Sequence, residues 1–374
     1  MNFIDLGRQY EVIKDKIDVG IKKVVESQHF IMGSEIAELE ASLAEFVGRK
    51  YCLTCGSGTE ALQIPLMAYN LEKTDAVFVP SFTFFASAES VNLAGGTPIF
   101  VDSDRTFNMD PESLKREIQR IKTEGKLKPR GIIVVDLFGR SANYDEILPI
   151  AEQNHLFVLE DAAQGFGGSL HGKRNGAFGD VAATSFFPAK PLGCYGDGGA
   201  IFTDDDELYK VMHSIRVHGQ GSDKYDNIRL GINGRMDTMQ AAIVLAKLTV
   251  FEDELQARQK VAGWYEKYLS NVFDVPTRDP EYFSAWAQYS VLAKNEVERE
   301  KIISGLKEKG IPVMIYYPIP LHKQTAYRNL GYGDESLPYC ESIAKRVFSL
   351  PMYPYIKEEE VRKICEALND IVLK

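Results

Sequence analysis

Two residues of this chain, Lys190 and Asp161, are of the types needed to handle an amino group. Asp161 ends an apolar stretch, residues 156–161, that predicts a buried strand, and Lys190 lies in a loop rich in Gly and Pro that follows another predicted strand. A lysine amine can bond an aldehyde as a Schiff base, and a buried carboxylate can keep a pyridine nitrogen protonated. If both face one pocket, they are the two parts that hold pyridoxal 5'-phosphate (PLP) and let its ring act as an electron sink.

Both residues also have ordinary structural interpretations. An isolated lysine is most often a solvated surface residue, and an aspartate at a strand end is most often a helix cap. The neighbouring residues favour the chemical interpretation, because the apolar residues 157–159 would bury the strand that ends at Asp161, and its carboxylate then needs a cationic partner. Ser185 lies five residues before Lys190 at another predicted strand end, where its hydroxyl could reach the phosphate of the cofactor.

A glycine-containing run, Gly56-Ser57-Gly58-Thr59-Glu60-Ala61, follows a predicted strand and opens a predicted helix. Backbone amides at a helix N-terminus bind phosphate, and glycines let the ligand approach them. The run also fits the G-x-G-x-x-G/A pattern of a dinucleotide-binding fold, with Asp75 near the position expected for a ribose-binding acid. An NAD-dependent oxidoreductase is therefore the competing interpretation, although it gives no task to Lys190 or Asp161. A tight turn with a helix cap is the plain alternative for this motif alone.

The composition is that of an ordinary globular chain, with 374 residues, 45% hydrophobic and 26% charged, and a net charge of −10. This acidic balance argues against nucleic-acid and anionic membrane partners. No apolar run reaches membrane-spanning length and no secretory signal is visible, so we expect a cytoplasmic protein. The five cysteines are interpreted as reduced thiols. The C-x-x-C spacing of Cys52 and Cys55 is interpreted as two residues of a buried strand, and no metal site is expected.

Strand and helix patterns alternate along most of the chain, after a helical start that breaks near residues 29–33. Strands are predicted at residues 51–55, 76–80, 98–101, 131–138, 156–161, 181–187 and 199–203. This alternation predicts an α/β domain with a mostly parallel sheet. A long helical stretch from residue 236 to about 272 leads into a smaller α+β part, with strands predicted at 286–292 and 312–315 and helices at 297–309 and 357–372. We assign a large domain to residues 1–245 and a small domain to residues 246–374.

Four motifs together resemble those of the DegT/DnrJ/StrS family of PLP-dependent nucleotide-sugar aminotransferases, and the similarity extends from Phe3 to Met352. The motifs are Glu160-Asp161-Ala162-Ala163-Gln164, Ser185-Phe186-Phe187-Pro188-Ala189-Lys190, Gly196-Asp197-Gly198-Gly199-Ala200 and Gly231-Ile232-Asn233-Gly234-Arg235-Met236-Asp237. The resemblance implies a fold-type-I transferase, like aspartate aminotransferase, with a seven-stranded, mostly parallel sheet. It also implies a homodimer with active sites at the subunit boundary.

The resemblance assigns roles to individual residues. Lys190 resembles the Schiff-base lysine, and Asp161 resembles the partner of the ring nitrogen. The implied cofactor contacts are Gly58, Thr59 and Ser185 at the phosphate, Phe84 stacked on the ring, Gln164 beside the ring hydroxyl, and Asn233 reaching the phosphate from the neighbouring subunit. The implied substrate contacts are Arg235, Tyr316, Tyr317 and His322. Arg235 is a candidate to bind a carboxylate or the nucleotide charge, and an ion pair with Asp237 is the open alternative. Relatives often have histidine where Tyr316 stands.

The implied reaction moves an amino group from an amino acid, L-glutamate, to a keto group of a nucleotide-linked sugar, with PLP and pyridoxamine 5'-phosphate (PMP) alternating in one site. Lys190 favours transamination, because dehydratases of the family carry histidine there. Residues 187–197 resemble enzymes that act on UDP-3-ketosugars, including 3-keto uronic acids. A dTDP-3-keto-6-deoxysugar, a 4-ketosugar and a PLP-binding regulator are the alternatives. Candidate partners for a uronate are Arg140, Arg216, Arg229 and Lys323, and the product would serve lipopolysaccharide, capsule or glycoside biosynthesis.

Overall fold

The computed structural model describes residues 1–223, 225–269, 272–333 and 336–373. Two helices come first, α1 (Leu6–Ser27) and α2 (Ser34–Val47), and they are separated where the sequence predicts a break. The elements that follow are β1 (Tyr51–Cys55), α3 (Gly58–Ala68), β2 (Asp75–Pro80), α4 (Ala86–Leu93), β3 (Thr97–Val101), α5 (Pro111–Glu124), β4 (Lys128–Val135), α6 (Tyr144–Gln153), β5 (Phe157–Asp161), β6 (Ser169–Leu170), β7 (Lys173–Arg174), β8 (Val181–Ser185), β9 (Gly199–Thr203) and α7 (Asp206–Arg216).

Seven of these strands form one sheet in the order β1-β9-β8-β5-β4-β2-β3. Strands β8, β5, β4, β2 and β3 pair in parallel, whereas β9 runs antiparallel to both of its neighbours. Strand β1 therefore runs in the same direction as β8. The predicted seven-stranded, mostly parallel sheet is confirmed.

The central strands are buried along their whole length because helices cover both faces of the sheet. Such strands read as continuous apolar runs, which is why the sequence locates them well. Gly131 in β4 shows how closely they pack, since a Cβ there would lie 2.2 Å from the Phe157 ring. Cys52 and Cys55 are both buried in β1, which confirms their interpretation as residues of a buried strand.

A second apolar core forms at the C-terminal side of the chain, beginning in the second half of the long helix α8 (Thr238–Leu269). Its further elements are β10 (Tyr282–Phe283), β11 (Tyr289–Leu292), α9 (Glu296–Glu308), α10 (Pro338–Arg346), β12 (Val347–Leu350) and α11 (Glu358–Val372). Two 3₁₀ helices, Leu321–Lys323 and Thr325–Leu330, connect α9 to α10. The predicted domain boundary at residues 245 and 246 falls inside α8 and stays a prediction. No helix of the described segments is long and apolar enough to cross a membrane.

Several details differ from the sequence predictions. The strand predicted at residues 181–187 ends at Ser185, and the strand predicted at 286–292 begins at Tyr289. The strand predicted at residues 131–138 ends at Val135, because the side chain of Asp136 turns the chain by accepting hydrogen bonds from Ala142 N (2.9 Å) and Tyr144 Oη (3.0 Å). The strand predicted at residues 312–315 is wrong, since only Met314 makes an isolated bridge, to Ser349. Strand β12, which was not predicted, pairs with β11 instead.

Candidate active site

The carboxyl ends of β1, β2, β5 and β8 meet at one edge of the sheet, where open α/β folds bind their ligands. A cavity of about 410 Å³ opens there. The residues that line it are Ile4, Ser57, Gly58, Thr59, Leu62, Thr83, Phe84, Ala86, Val135, Asp161, Ala163, Gln164, Ser185, Phe187, Ala189, Lys190, Asp197, Gln288, Tyr316 and Tyr317. Lys190 and Asp161 therefore share one pocket, which is the condition on which the sequence argument depends.

Asp161 is the last residue of β5, and only 5% of its surface is exposed. Its Oδ2 accepts a hydrogen bond from Ser87 Oγ (2.9 Å), and its Oδ1 accepts one from the Ala163 amide (3.2 Å). Burial raises the pKa of Asp161, while these bonds and the charge of Lys190 lower it. The carboxylate is held in one orientation, and its burial favours a cation as the ligand group beside it.

Lys190 lies on the connection between β8 and β9, which leaves the sheet at Ser185 and returns at Gly199. Three backbone hydrogen bonds shape this loop, Phe186 N to Gly198 O (2.8 Å), Lys190 N to Phe187 O (2.9 Å) and Cys194 N to Phe186 O (2.7 Å). Burial lowers the pKa of the Lys190 amine, and the charge of Asp161 raises it. A partly desolvated amine of this kind is a better nucleophile and base than a solvated lysine.

The phosphate-binding run begins at Ser57, the N-cap of α3, whose hydroxyl accepts a hydrogen bond from Glu60 N (3.1 Å). Ser57, Gly58 and Thr59 line the cavity, so the positive end of the helix faces it. Gly58 packs directly on Ser185, because a Cβ at this glycine would lie 2.5 Å from Ser185 Cβ. The helix end and the Ser185 hydroxyl thus form one cradle for an anion.

The wall of the cavity is aromatic. Phe84 follows β2 and is 55% exposed, and its ring lies 6.2 Å from that of Tyr317. Gln164 is fixed from both ends, since its Oε1 accepts a hydrogen bond from Phe138 N (2.8 Å) and its Nε2 donates one to Tyr317 Oη (3.0 Å). A flat ring between Phe84 and the sheet would have an aromatic face on one side and an oriented amide at its edge.

The remaining predicted site residues lie in different places. Tyr316 lines the cavity. Asn233 is exposed and Arg235 is partly buried, and neither lines the cavity of its own chain. His322 is buried, where its ring bonds Ser81 Oγ (2.6 Å) and Glu341 (3.1 Å), so it holds its loop in place instead of facing the cavity. Among the candidate partners of a uronate, Arg216 is 1% exposed and pairs with Glu40, so it also lies outside.

Several residues that line the cavity or support its side chains were not found from the sequence. Ser87 bonds the Asp161 carboxylate, yet it is one small polar residue among many in α4, and no local signal marks it. Ile4 and Gln288 come from distant parts of the chain. Asp197 belongs to the motif at residues 196–200, but the resemblance assigned no role to its side chain.

The residues present fit PLP. Lys190 supplies an amine, Asp161 a buried carboxylate for the ring nitrogen, and the cradle at Gly58 and Ser185 a place for the phosphate. The dinucleotide alternative fails at Asp75, because this residue begins β2 at the opposite edge of the sheet. There its carboxylate accepts a hydrogen bond from Glu72 N (2.9 Å), far from any ligand at the carboxyl edge.

Comparisons with known proteins agree with this geometry. The profile of the DegT/DnrJ/EryC1/StrS aminotransferase family matches residues 11–369. A Pseudomonas aeruginosa protein named UDP-2-acetamido-2-deoxy-3-oxo-D-glucuronate aminotransferase is 46% identical over 374 residues, covering 99% of this chain and 100% of its own. The crystal structure of a DegT DnrJ EryC1 StrS aminotransferase from Brucella abortus is 47% identical, with a TM-score of 0.97 over 100% of both chains. The crystal structure of ntda from Bacillus subtilis with bound cofactor PMP is 28% identical, with a TM-score of 0.88 over 97% of this chain and 82% of its own.

Proposed function

Because the chain belongs to the DegT/DnrJ/EryC1/StrS aminotransferase family, we propose that it moves an amino group from L-glutamate to the 3-keto group of a UDP-linked sugar, with PLP as cofactor. The observation that carries this proposal is the shared cavity of Lys190 and Asp161, with a phosphate cradle beside them. When bound, PLP supplies an aldehyde that takes up the amine and a ring that takes up electrons from the carbon bearing it.

Lys190 Nζ is the group that bonds the cofactor and then moves the proton. Its amine would hold the cofactor through the aldehyde, and when free it would accept the proton that leaves the α carbon of the amino donor. The lowered pKa of Lys190 favours the neutral amine that both tasks need. The fixed loop around it keeps Nζ on one face of the reacting carbon.

Asp161 keeps a proton on the ring nitrogen by placing a negative charge beside it. Ser87 donates a hydrogen bond to one carboxylate oxygen and the Ala163 amide donates one to the other, and together they fix the plane of the carboxylate. A buried charge pair of this kind is strong because water is excluded. Gly58, Thr59 and Ser185 bind the phosphate, Phe84 stacks on the ring, and Gln164 bonds the hydroxyl edge.

The sugar occupies the side of the cavity that Tyr316, Tyr317 and Phe187 border. The 46% identical Pseudomonas aeruginosa protein supports a UDP-linked 3-keto uronic acid as substrate, since its name specifies such a sugar. Arg235 of the partner subunit is the cation that we assign to its carboxylate or diphosphate. The product then serves surface polysaccharide synthesis in the cytoplasm, and the five unpaired, buried cysteines are consistent with that reducing compartment.

Exposed apolar side chains support a homodimer with shared sites. Residues 30–32 are between 43% and 50% exposed, and Ile31 bridges to Asp237, close to the segment 231–235. A run of exposed large apolar residues is typical of a surface that another chain covers. In the dimer, the partner subunit's Asn233 completes the phosphate cradle.

Subunit mixing tests the shared sites. Lys190→Ala and Asn233→Asp subunits should each be inactive alone, whereas refolding them together should restore activity, because a mixed dimer has one site with neither change. No recovery in mixed dimers whose formation is verified by mass would contradict sharing.

A substrate screen tests the reaction. The purified protein is incubated with glutamate and a UDP-3-keto uronate, a UDP-3-ketosugar without a carboxylate, a dTDP-3-keto-6-deoxysugar and a 4-ketosugar, and the products are read by mass and NMR. We expect amination at C3 of the UDP-linked sugars, fastest with the uronate. Amination of the 4-ketosugar alone would refute the substrate, and borohydride reduction that labels a residue other than Lys190 would refute the mechanism.

A further inference from the structure

An ion pair closes the open edge of the large sheet directly before the phosphate loop. Strand β1 is an edge strand, and on its inner side Thr54 lies opposite Ala200 of β9. On its outer side the Thr54 amide donates to Glu40 Oε1 (2.8 Å), and its carbonyl accepts from Arg216 Nη1 (2.9 Å). An edge strand otherwise leaves such backbone groups to water. Glu40 and Arg216 therefore bond the two backbone groups of Thr54 that a further strand would otherwise bond.

The two side chains are also bound to each other. Arg216 Nη1 lies 2.6 Å from Glu40 Oε1, which accepts a third hydrogen bond from Thr54 Oγ1 (2.8 Å). The Arg216 side chain is only 1% exposed, and that of Glu40 is 16% exposed. A guanidinium buried this deeply requires its carboxylate, so the pair acts as one unit.

Arg216 has a second link to the phosphate loop through its backbone. Its carbonyl accepts a hydrogen bond from Gly234 N (3.0 Å), and the Gly234 carbonyl in turn accepts one from Gly56 N (3.1 Å). Side-chain and backbone bonds thus form a closed ring from Arg216 through Thr54 and Gly56 to Gly234 and back. The ring fixes both sides of the loop that presents the amides of α3.

None of these residues touches the cavity. Glu40, Thr54, Arg216 and Gly234 are absent from its lining, whereas Ser57, Gly58 and Thr59, which follow directly on the ring, belong to it. The Gly58 backbone already lies against Ser185 with no room for a Cβ. A small displacement of the loop therefore changes the fit of the cradle to a phosphate, because hydrogen bonds weaken steeply with distance and angle.

We propose that the Glu40–Arg216 ion pair is a positioning device for the phosphate cradle, which sets the affinity for PLP without contacting it. The same ring holds the segment 231–235, whose Asn233 we assign to the partner's cradle. One buried ion pair therefore positions both the phosphate cradle of its own subunit and the segment 231–235 that contacts the partner subunit. This inference rests on the proposed phosphate site, but not on the identity of the sugar.

Glu40→Gln tests the proposal, because it removes the charge and keeps the shape. Apo protein is titrated with PLP and, separately, with pyridoxal, which lacks the phosphate. We expect the dissociation constant of PLP to rise about tenfold, with that of pyridoxal changed less than about twofold and kcat at saturating PLP nearly unchanged. This contrast isolates the phosphate from every other contact of the cofactor.

Glu360→Gln is the matched control. It makes the same chemical change and breaks another arginine pair, Arg8 Nη1 to Glu360 Oε2 (2.7 Å), and neither of these residues lines the cavity. We expect this variant to lose unfolding free energy while its affinity for PLP stays at the wild-type value. The comparison separates loss of stability from loss of positioning.

Equal effects on PLP and pyridoxal, or an unchanged PLP affinity in Glu40→Gln, would overturn the proposal and leave the pair a purely structural one. If Glu40→Gln does not fold, Thr54→Val replaces it, since this variant removes only the bond from Thr54 Oγ1 to Glu40. About a threefold loss of PLP affinity is then expected, again without an effect on pyridoxal. Wild-type protein that binds pyridoxal as tightly as PLP would instead refute the phosphate site of the proposed function.

Discussion

Gly58→Ala should open the phosphate cradle, because a methyl group at this position has no space. The added Cβ would lie 2.5 Å from Ser185 Cβ, 2.8 Å from its Oγ and 3.2 Å from its Cα. Carbon atoms pack at about 3.5–4.0 Å, so the helix end and the strand end must separate by about 1 Å. Ser185 is held in the sheet, and the relief therefore comes from movement of the phosphate loop.

The size of the effect follows from two opposing contributions. Overpacking of this kind costs about 1–3 kcal/mol, whereas alanine in place of glycine in a helix returns at most about 1 kcal/mol. At the middle of its range the steric cost exceeds this gain, so the free energy of unfolding should fall by about 1 kcal/mol. Since the displaced amides are those assigned to the phosphate, the dissociation constant of PLP should rise by about tenfold.

Gly20→Ala provides the control. Gly20 lies within α1, and a Cβ there would meet Ala242 Cβ at an ordinary 3.5 Å. The helix should gain about 0.5–1 kcal/mol, with PLP binding unchanged. Urea denaturation of the apo proteins followed by circular dichroism measures the first quantity, and absorbance titration measures the second. A Gly58→Ala protein as stable as wild type, with wild-type affinity for PLP, would refute the reasoning.

Three further outcomes are expected. The charge of Asp161 raises the pKa of Lys190, so Asp161→Asn should lower the pH midpoint at which the protein binds PLP. Stopped-flow absorbance between about pH 6 and pH 10 measures this midpoint, and a higher midpoint would contradict the assignment. Burial lowers the pKa of Lys247 to about 8, so wild-type stability should rise from about pH 8 to about pH 10.5, where only the unfolded chain holds the proton. Lys247→Met should remove this slope in urea denaturation and add about 2–3 kcal/mol at pH 7; a retained slope would point to another group. Tyr317→Phe should cost about 1–2 kcal/mol in the same assay, because Gln164 Nε2 loses its acceptor, and an unchanged midpoint would show that this bond contributes nothing.

The sequence is a good guide to the sheet because its signals are local. The predicted bounds of β1 and β9 are those of the structure, since the apolar runs there end before a glycine or a charged residue. Strand β12 had no such signal, because it follows α10 without a single intervening residue. The wrong strand at 312–315 is a short continuous apolar run, but it makes only one bridge, from Met314 to Ser349 of β12, which also pairs with β11.

The residues of the site also differ in whether a local signal in the sequence marks them. Lys190, Asp161 and Ser185 could be predicted because each follows or ends a recognisable strand, and Gly58 because it opens a helix. The position of Ser87 depends on how α4 crosses the end of β5, and the position of Gln288 depends on the packing of the second core against the sheet. Neither arrangement produces a pattern in the sequence around Ser87 or Gln288. The role of Asn233 stays a prediction, because its own cavity does not include it.

The reversed strand β9 makes the lysine-bearing loop a self-contained unit. Both ends of this connection are fastened to the sheet within one hairpin, and Gly199 lets the two sides close, since a Cβ there would lie 2.5 Å from Ser57 O and 2.9 Å from Thr184 O. Insertions or exchanges between the two ends would change one wall of the pocket, whereas Gly58 and Thr59 of the anion cradle belong to another element, α3. The loop is therefore a natural place to graft the corresponding stretch of a relative and alter which sugar is accepted.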